Sequence, residues 1–189
     1  MRNNKYLLDL ISKYQNIYDG EDAYVSSSLF DQLSNDKDIF SRKNFVAHIT
    51  CSALILSQNQ DKILLIDHKF LKMWLQPGGH VEGVDELYKE SLREVLEETA
   101  LDNVVLHKWH KGSDVPFSID SHNIPESLKK NEPAHVHHDF TYLFIGCSIQ
   151  KLVRQVEEIE DVKWFSLSEV SNIKTDIHKF IKRINRYIA

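Results

Sequence analysis

Cysteine is scarce in this chain. Only Cys51 and Cys147 occur, both within apolar runs. That excludes a disulfide framework and predicts two reduced, buried thiols. No stretch approaches the roughly 18 consecutive apolar residues of a membrane span. The opening MRNNKYLLDL lacks the apolar core of a secretory signal. A cytoplasmic protein with no membrane partner is expected. Positive charge is also short: 23 Lys and Arg stand against 28 Asp and Glu, a formal net charge of -5. A duplex nucleic-acid binder normally carries a basic face, so this balance speaks against one. Internal repeats and low-complexity segments are absent too. An acidic protein that handles phosphate needs cations in its site, either basic side chains or bound metal.

What is present is a globular composition. The 189 residues, 42% hydrophobic and 27% charged, suffice for one domain with a sizeable core and exclude a disordered chain. Residues 1–41 read as a helical arm. Tyr6, Leu7, Leu10, Ile11 and Tyr14 recur at helical spacing, and Ser26–Ser28 offer a cap for a second helix through Leu33. From residue 42 to 189 the pattern changes to strands with two helical stretches. HITCSALILS and KILLIDH read as strands around the turn Asn59-Gln60-Asp61, and Trp74–Gly79 as a loop. Asp85–Thr99 reads as a helix. Strands follow at Asn103–Trp109, Phe117–Ile124, His135–Ile149 and Val162–Phe165, and a terminal helix or helices at Ser168–Tyr187. The sum is an α+β chain with helices packed on a mixed sheet.

The chemistry concentrates on the helix before Thr99. At 100° per residue, Glu94 and Glu98 lie about 40° apart, with Glu97 about 60° to the other side of Glu94 and Glu90 close by. Leu92, Val95, Leu96 and Thr99 fall on the opposite side and form an expected apolar back. Like charges at i, i+4 cost a free helix a few tenths of a kcal/mol each. A divalent cation removes that conflict, and carboxylates suit Mg²⁺ or Mn²⁺; the alternative is a solvated acidic face. Gly78 and Gly79 allow close backbone approach and unusual φ values, and Arg93 is placed to orient the carboxylates.

Gly79, five residues, Asp85, seven residues and then Arg93-Glu94-Val95-Leu96-Glu97-Glu98-Thr99-Ala100-Leu101 resembles the Nudix box. Two positions depart from the family pattern: Asp85 stands for its first Glu and Ala100 for its last Gly. HITCSALIL and KILLIDH resemble the strands that precede the box, Trp74–Gly79 its approach, and Val162–Phe165 with Leu167 the closing strand and helix. The resemblance covers roughly residues 42–189, and the helical arm recurs in one bacterial branch. It implies an α/β/α sandwich with a mixed sheet. It implies that the Gly78 carbonyl, Glu94, Glu97 and Glu98 bind Mg²⁺ or Mn²⁺ and that Arg93 orients them. Catalysis would then rest on Arg93, Glu94, Glu97 and Glu98, with Glu94 the candidate base for water attacking phosphorus. The substrate is expected to be a small molecule with a diphosphate linkage, such as a substituted nucleoside diphosphate. A homodimer is an open option. Two other functions compete. A nucleotide-sensing module usually loses box carboxylates, which this chain keeps. An isomerase-like relative needs a cysteine near the box, where none occurs.

Histidines make a second concentration. His135, His137 and Asp139 share one face of a strand at period two, and Asp120 and His122 share a face of its neighbour. Asp-any-His-any-Ile-Pro and Glu-Pro-any-His-any-His-any-Asp segments resemble those of the same bacterial branch. Three readings stay open: substrate recognition, a transition-metal site, or a hydrogen-bonded structural patch. His122, His135, His137 and Asp139, with His80 and Glu82 after the glycines, are the expected substrate contacts. His48, His68, His107, His110 and His178 read as ordinary surface or capped histidines.

Overall fold

The computed structural model describes residues 3–35, 38–83, 86–127 and 131–188. In chain order the elements are helices α1 (Asn4–Ile17) and α2 (Ser27–Ser34), then strands β1 (Ala47–Ser57), β2 (Lys62–His68), β3 (Met73–Leu75) and β4 (Gly78–His80). Helix α3 (Leu87–Thr99) follows, then β5 (Val104–Leu106), β6 (Ser118–Ile124), β7 (His135–Gly146), β8 (Ile159–Ser166) and α4 (His178–Tyr187). Helices combined with a mixed sheet make the α+β class that the sequence pattern predicts. Among the described residues no helix is long and apolar enough to cross a membrane.

The chain divides into two compact units, and β1, β4, β7 and α3 each contribute residues to both. The first comprises Met1–Ser52, Gly79–Glu90 and Ser113–Tyr142. Its helices form as their sequence suggests. Asn3 caps α1 by accepting from the Tyr6 N–H at 3.0 Å, and α1 buries Leu7, Leu10, Ile11 and Tyr14. Ser26 caps α2, which buries Leu29 and Leu33. The helical arm is tied into this unit by polar contacts as well: the Tyr18 hydroxyl donates to the buried Phe117 carbonyl at 2.9 Å. Strands β6 and β7 form an antiparallel hairpin that sets His122 opposite His137 and Asp120 opposite Asp139. Thr50 and Ser52 of β1 both reach Asp139, while His48 lies against His135 and His137. Contacts thus advance in the same sense along β1 and β7, the parallel component of the mixed sheet.

The second unit comprises Ala53–Gly78, Ser91–Gly112 and Leu143–Ala189. Here β2 pairs antiparallel with β3 and β8, and β5 pairs antiparallel with the end of β7. Gly146 permits the close approach of its neighbours, because a Cβ there would sit 2.7 Å from Ile55 Cγ2 and 3.0 Å from Leu101 Cδ2. Both cysteines are free; Cys51 is buried and Cys147 half-buried.

Three local expectations are corrected. Trp74–Gly79 is not all loop, since backbone pairing makes short strands of Met73–Leu75 and Gly78–His80. Strand β5 ends at Leu106, where His107 turns the chain by accepting from the Trp109 N–H at 3.0 Å. The apolar back of α3 is only part of its buried surface: Val95 and Thr99 are fully buried as expected, but Leu96 is 52% exposed, whereas Glu90 is fully buried and Glu98 only 7% exposed. Backbone N–H groups make the burial of Glu90 and Glu98 tolerable by hydrogen-bonding their carboxyl groups.

Ala100 ends α3 at φ 54, the left-handed conformation usually taken by glycine. For an L-residue this costs about 1–2 kcal/mol, against the smaller entropy that glycine would lose on folding. Ala100→Gly is therefore expected to stabilise the fold by about 0.5–1 kcal/mol in denaturant unfolding. A destabilised variant would show that the left-handed turn is not retained in solution.

Candidate functional site

In the second unit the residues of the box come together on α3 and the strand before it. The Arg93 guanidinium donates to Glu94 Oε1 at 2.6 Å and to Glu97 Oε2 at 2.8 Å. One side chain thereby fixes two carboxylates, the orienting role that its position suggests. Glu98 lies deeper and accepts the Gly78 N–H at 3.0 Å. The preceding Pro77 carbonyl accepts from the Ala53 N–H of β1 at 2.8 Å, which anchors the glycine strand. Gly78 therefore meets the helix through its N–H. Neither Gly78 nor Gly79 has a positive φ, so the unusual backbone conformation that the pair could allow is not used here. Asp85 lies outside the described residues.

Burial pushes the Glu98 carboxyl up to about 8, opposed by the Gly78 N–H and reinforced by Glu94, Glu158 and Glu97. Glu98 is thus withdrawn from solvent, whereas Glu97 on the same face is largely exposed. Carboxylates arranged in this way could hold a divalent cation, whose charge would offset theirs. Hard oxygen donors favour Mg²⁺ or Mn²⁺ over thiophilic ions. In the first unit Glu90 is satisfied differently: its Oε1 accepts from the Glu82 and Gly83 N–H groups at 3.1 and 2.8 Å. The exposed Glu82 thus contributes its backbone to a structural contact.

The histidine face of the first unit is assembled as the period-two pattern predicts. His135 and His137 bring their Nε2 atoms to 3.1 Å, and the His122 ring centroid lies 5.7 Å from that of His137. His80 of β4 joins them at 5.3 Å from His137. Asp139 is buried and accepts from Thr50, Ser52 and Thr141, each at 2.9 Å. Asp120 lies 3.3 Å from His122 Nδ1. The alternation sends His138 to the opposite face, where it meets Ser121 at 2.8 Å. Burial, with the neighbouring histidines adding to it, holds His137 down to about 2. The ring is accordingly neutral at every ordinary pH.

His48 belongs to this cluster, although its position in an apolar strand reads as ordinary. Its ring stacks on His135 at 4.9 Å and lies 4.6 Å from His137. The available signal was the alternation His48, Thr50, Ser52, three polar side chains on one face of β1. His107 and His110 have structural roles: His107 caps a turn, and His110 accepts the Leu143 N–H at 3.1 Å.

A family model described as the NUDIX domain matches residues 47–186. The chain is similar to a Lactococcus lactis subsp. cremoris (strain MG1363) protein called "Probable DHNTP pyrophosphohydrolase". Identity is 29% over 178 residues, covering 94% of this chain and 98% of the relative. It is similar in fold to the C. elegans Ap4A hydrolase in a binary complex, with 14% identity and a TM-score of 0.53 over 74% of this chain and 96% of that one. It also matches the E. coli dihydroneopterin triphosphate pyrophosphohydrolase, with 14% identity and a TM-score of 0.50 over 74% of this chain and 94% of that one. At such identities the two structures speak for the fold alone.

Proposed function

The chain belongs to the NUDIX family of hydrolases, and from that premise we propose that it cleaves a phosphoanhydride bond by attack of water on phosphorus, with Mg²⁺ or Mn²⁺ held at the carboxylates of α3. The observation that carries the proposal is the Arg93–Glu94–Glu97 bridge beside the buried Glu98. The Gly78 carbonyl, Glu94, Glu97 and Glu98 would hold the ions. Bound there, they would neutralise the phosphate charge and make the attacking water more acidic. Arg93 keeps two of the carboxylates in place before any ion arrives, which lowers the reorganisation needed at the transition state. The Gly78 N–H holds Glu98 in the same way. Glu94 is the proposed acceptor for the proton of the attacking water.

The substrate is a nucleoside diphosphate-linked or related small molecule. Glu82, His80, His122, His135, His137 and Asp139 are proposed to serve its recognition, with imidazoles offering hydrogen bonds and flat faces for stacking. DHNTP, the compound in the name of the Lactococcus relative, heads the panel of phosphoanhydrides to assay. Nucleotide sugars, dinucleotides and modified nucleoside triphosphates complete it. At least one member should release a phosphate-containing product with Mg²⁺ or Mn²⁺ and none in excess chelator. Full turnover in chelator would exclude this mechanism.

A further inference from the structure

We propose that His48, His135 and His137 form a binding site for one divalent transition-metal ion with a preference for imidazole, Zn²⁺ by class. The proposal does not depend on the hydrolase assignment, and its ligand set is chemically unlike the carboxylates of α3. One ligand atom from each of the three histidines lies within 4.8 Å of the others, and the residues are buried, buried and half-buried. Four-coordinate Zn²⁺ with Zn–N bonds of about 2.0–2.1 Å requires ligand nitrogens about 3.3 Å apart. His135 and His137 already approach that spacing, with their Nε2 atoms at 3.1 Å. Small rotations of the rings suffice for the rest.

The tautomers favour metal over a passive stack. His48 Nδ1 lies 3.1 Å from the Asn44 carbonyl, and His135 Nδ1 lies 2.7 Å from the Pro133 carbonyl. A carbonyl only accepts, so both Nδ1 atoms carry a proton, and in the neutral ring that a metal ion requires each Nε2 presents its lone pair. Tying Nδ1–H to the backbone is how proteins orient a histidine that ligates through Nε2. His48 Nε2 is buried and has no hydrogen-bond partner. Such an atom calls for an explanation, and a cation facing its lone pair supplies one. The 3.1 Å contact between His135 and His137 holds one proton, on His137 Nε2 because His135 Nε2 is the acceptor. Ion entry moves that proton to His137 Nδ1, a change of tautomer within a neutral ring that releases no net charge.

The donor set also selects the ion. Three neutral imidazoles suit Zn²⁺ and its neighbours in the first transition row, not Mg²⁺. Asp139 is already occupied by three hydroxyl donors. Three protein ligands leave a fourth position for water or an oxygen of a bound molecule, the arrangement of an open zinc site.

The test uses the full-length protein, stripped with chelator, dialysed and then saturated with Mg²⁺. Titration with Zn²⁺ should show one ion bound per chain. Co²⁺ should give the visible absorption of a four-coordinate nitrogen-rich site, and Zn²⁺ should bleach it. His48→Ala and His137→Ala should each weaken Zn²⁺ binding by at least about tenfold, while Glu97→Gln still binds it. His48→Gln, closer in size, repeats the test if the alanine variants fail to fold. Absence of stoichiometric Zn²⁺ or Co²⁺ binding by the Mg²⁺-saturated wild type would overturn the proposal and leave a hydrogen-bonded histidine stack. Binding that survives loss of His48 and of His137 would overturn it equally.

Discussion

Replacing Glu97 or Glu98 with Gln is expected to lower turnover by at least about a hundredfold, equivalent to about 2.7 kcal/mol at the transition state, while leaving the fold intact. Each glutamine keeps the shape and removes the charge. Glu97 sits largely exposed, and its contact to Arg93 at 2.8 Å is an exposed ion pair whose loss costs little stability. Glu98 is the more demanding case because its Oε2 accepts the Gly78 N–H. A glutamine oxygen can keep that hydrogen bond while losing the ability to bind a divalent ion strongly. The loss should therefore fall on the steps that need metal. Near-normal kcat/KM in both variants, with unchanged circular dichroism, would remove α3 from the chemistry.

The metal-free protein should lose stability as pH rises. The Glu98 carboxyl is held up at about 8 in the folded chain, against an ordinary value of 4.5 that applies when unfolded. Between these values the folded state binds the proton and the unfolded state does not, so stability falls with increasing pH. The contribution is fully present below about pH 4.5 and is lost as pH rises through about 8. The total is on the order of 5 kcal/mol at most. Unfolding in chelator across this window should show the decline, Glu98→Gln should flatten it, and added Mg²⁺ should restore stability most at the alkaline end. A flat profile for the metal-free wild type would mean that Glu98 is solvated in solution.

Much of this was legible because it is local. The spacing of Arg93, Glu94, Glu97 and Glu98 places them on one helix whatever that helix packs against, and the period-two pattern of β6 and β7 needs only the hairpin that joins them. What escaped is non-local. His48 meets His135 and His137 only because β1 lies beside β7, nearly ninety residues later in the chain by the Thr50–Asp139 contact. Nothing in HITCSALILS alone marks that pairing. On α3 the burial of Glu90 and Glu98, beside the expected Val95 and Thr99, escaped for a related reason. Periodicity assigns apolar residues inward, but Glu90 and Glu98 are inside because the Glu82, Gly83 and Gly78 N–H groups satisfy them. Backbone donors leave no trace in side-chain patterning. Ala100 shows a third limit: the left-handed turn persists there without the glycine that normally advertises it.

The most direct test of the central claim is hydrolysis in isotope-labelled water. The full-length protein is incubated with the member of the phosphoanhydride panel that it turns over fastest, with Mg²⁺ and separately with excess chelator, and the products are analysed by mass spectrometry. Attack of water on phosphorus at the α3 carboxylates is expected to place one labelled oxygen on a phosphate product in Mg²⁺, with no turnover in chelator and at least about a hundredfold less label with Glu98→Gln. Label that appears equally in chelator or with Glu98→Gln, or no turnover of any panel member in Mg²⁺, would contradict it.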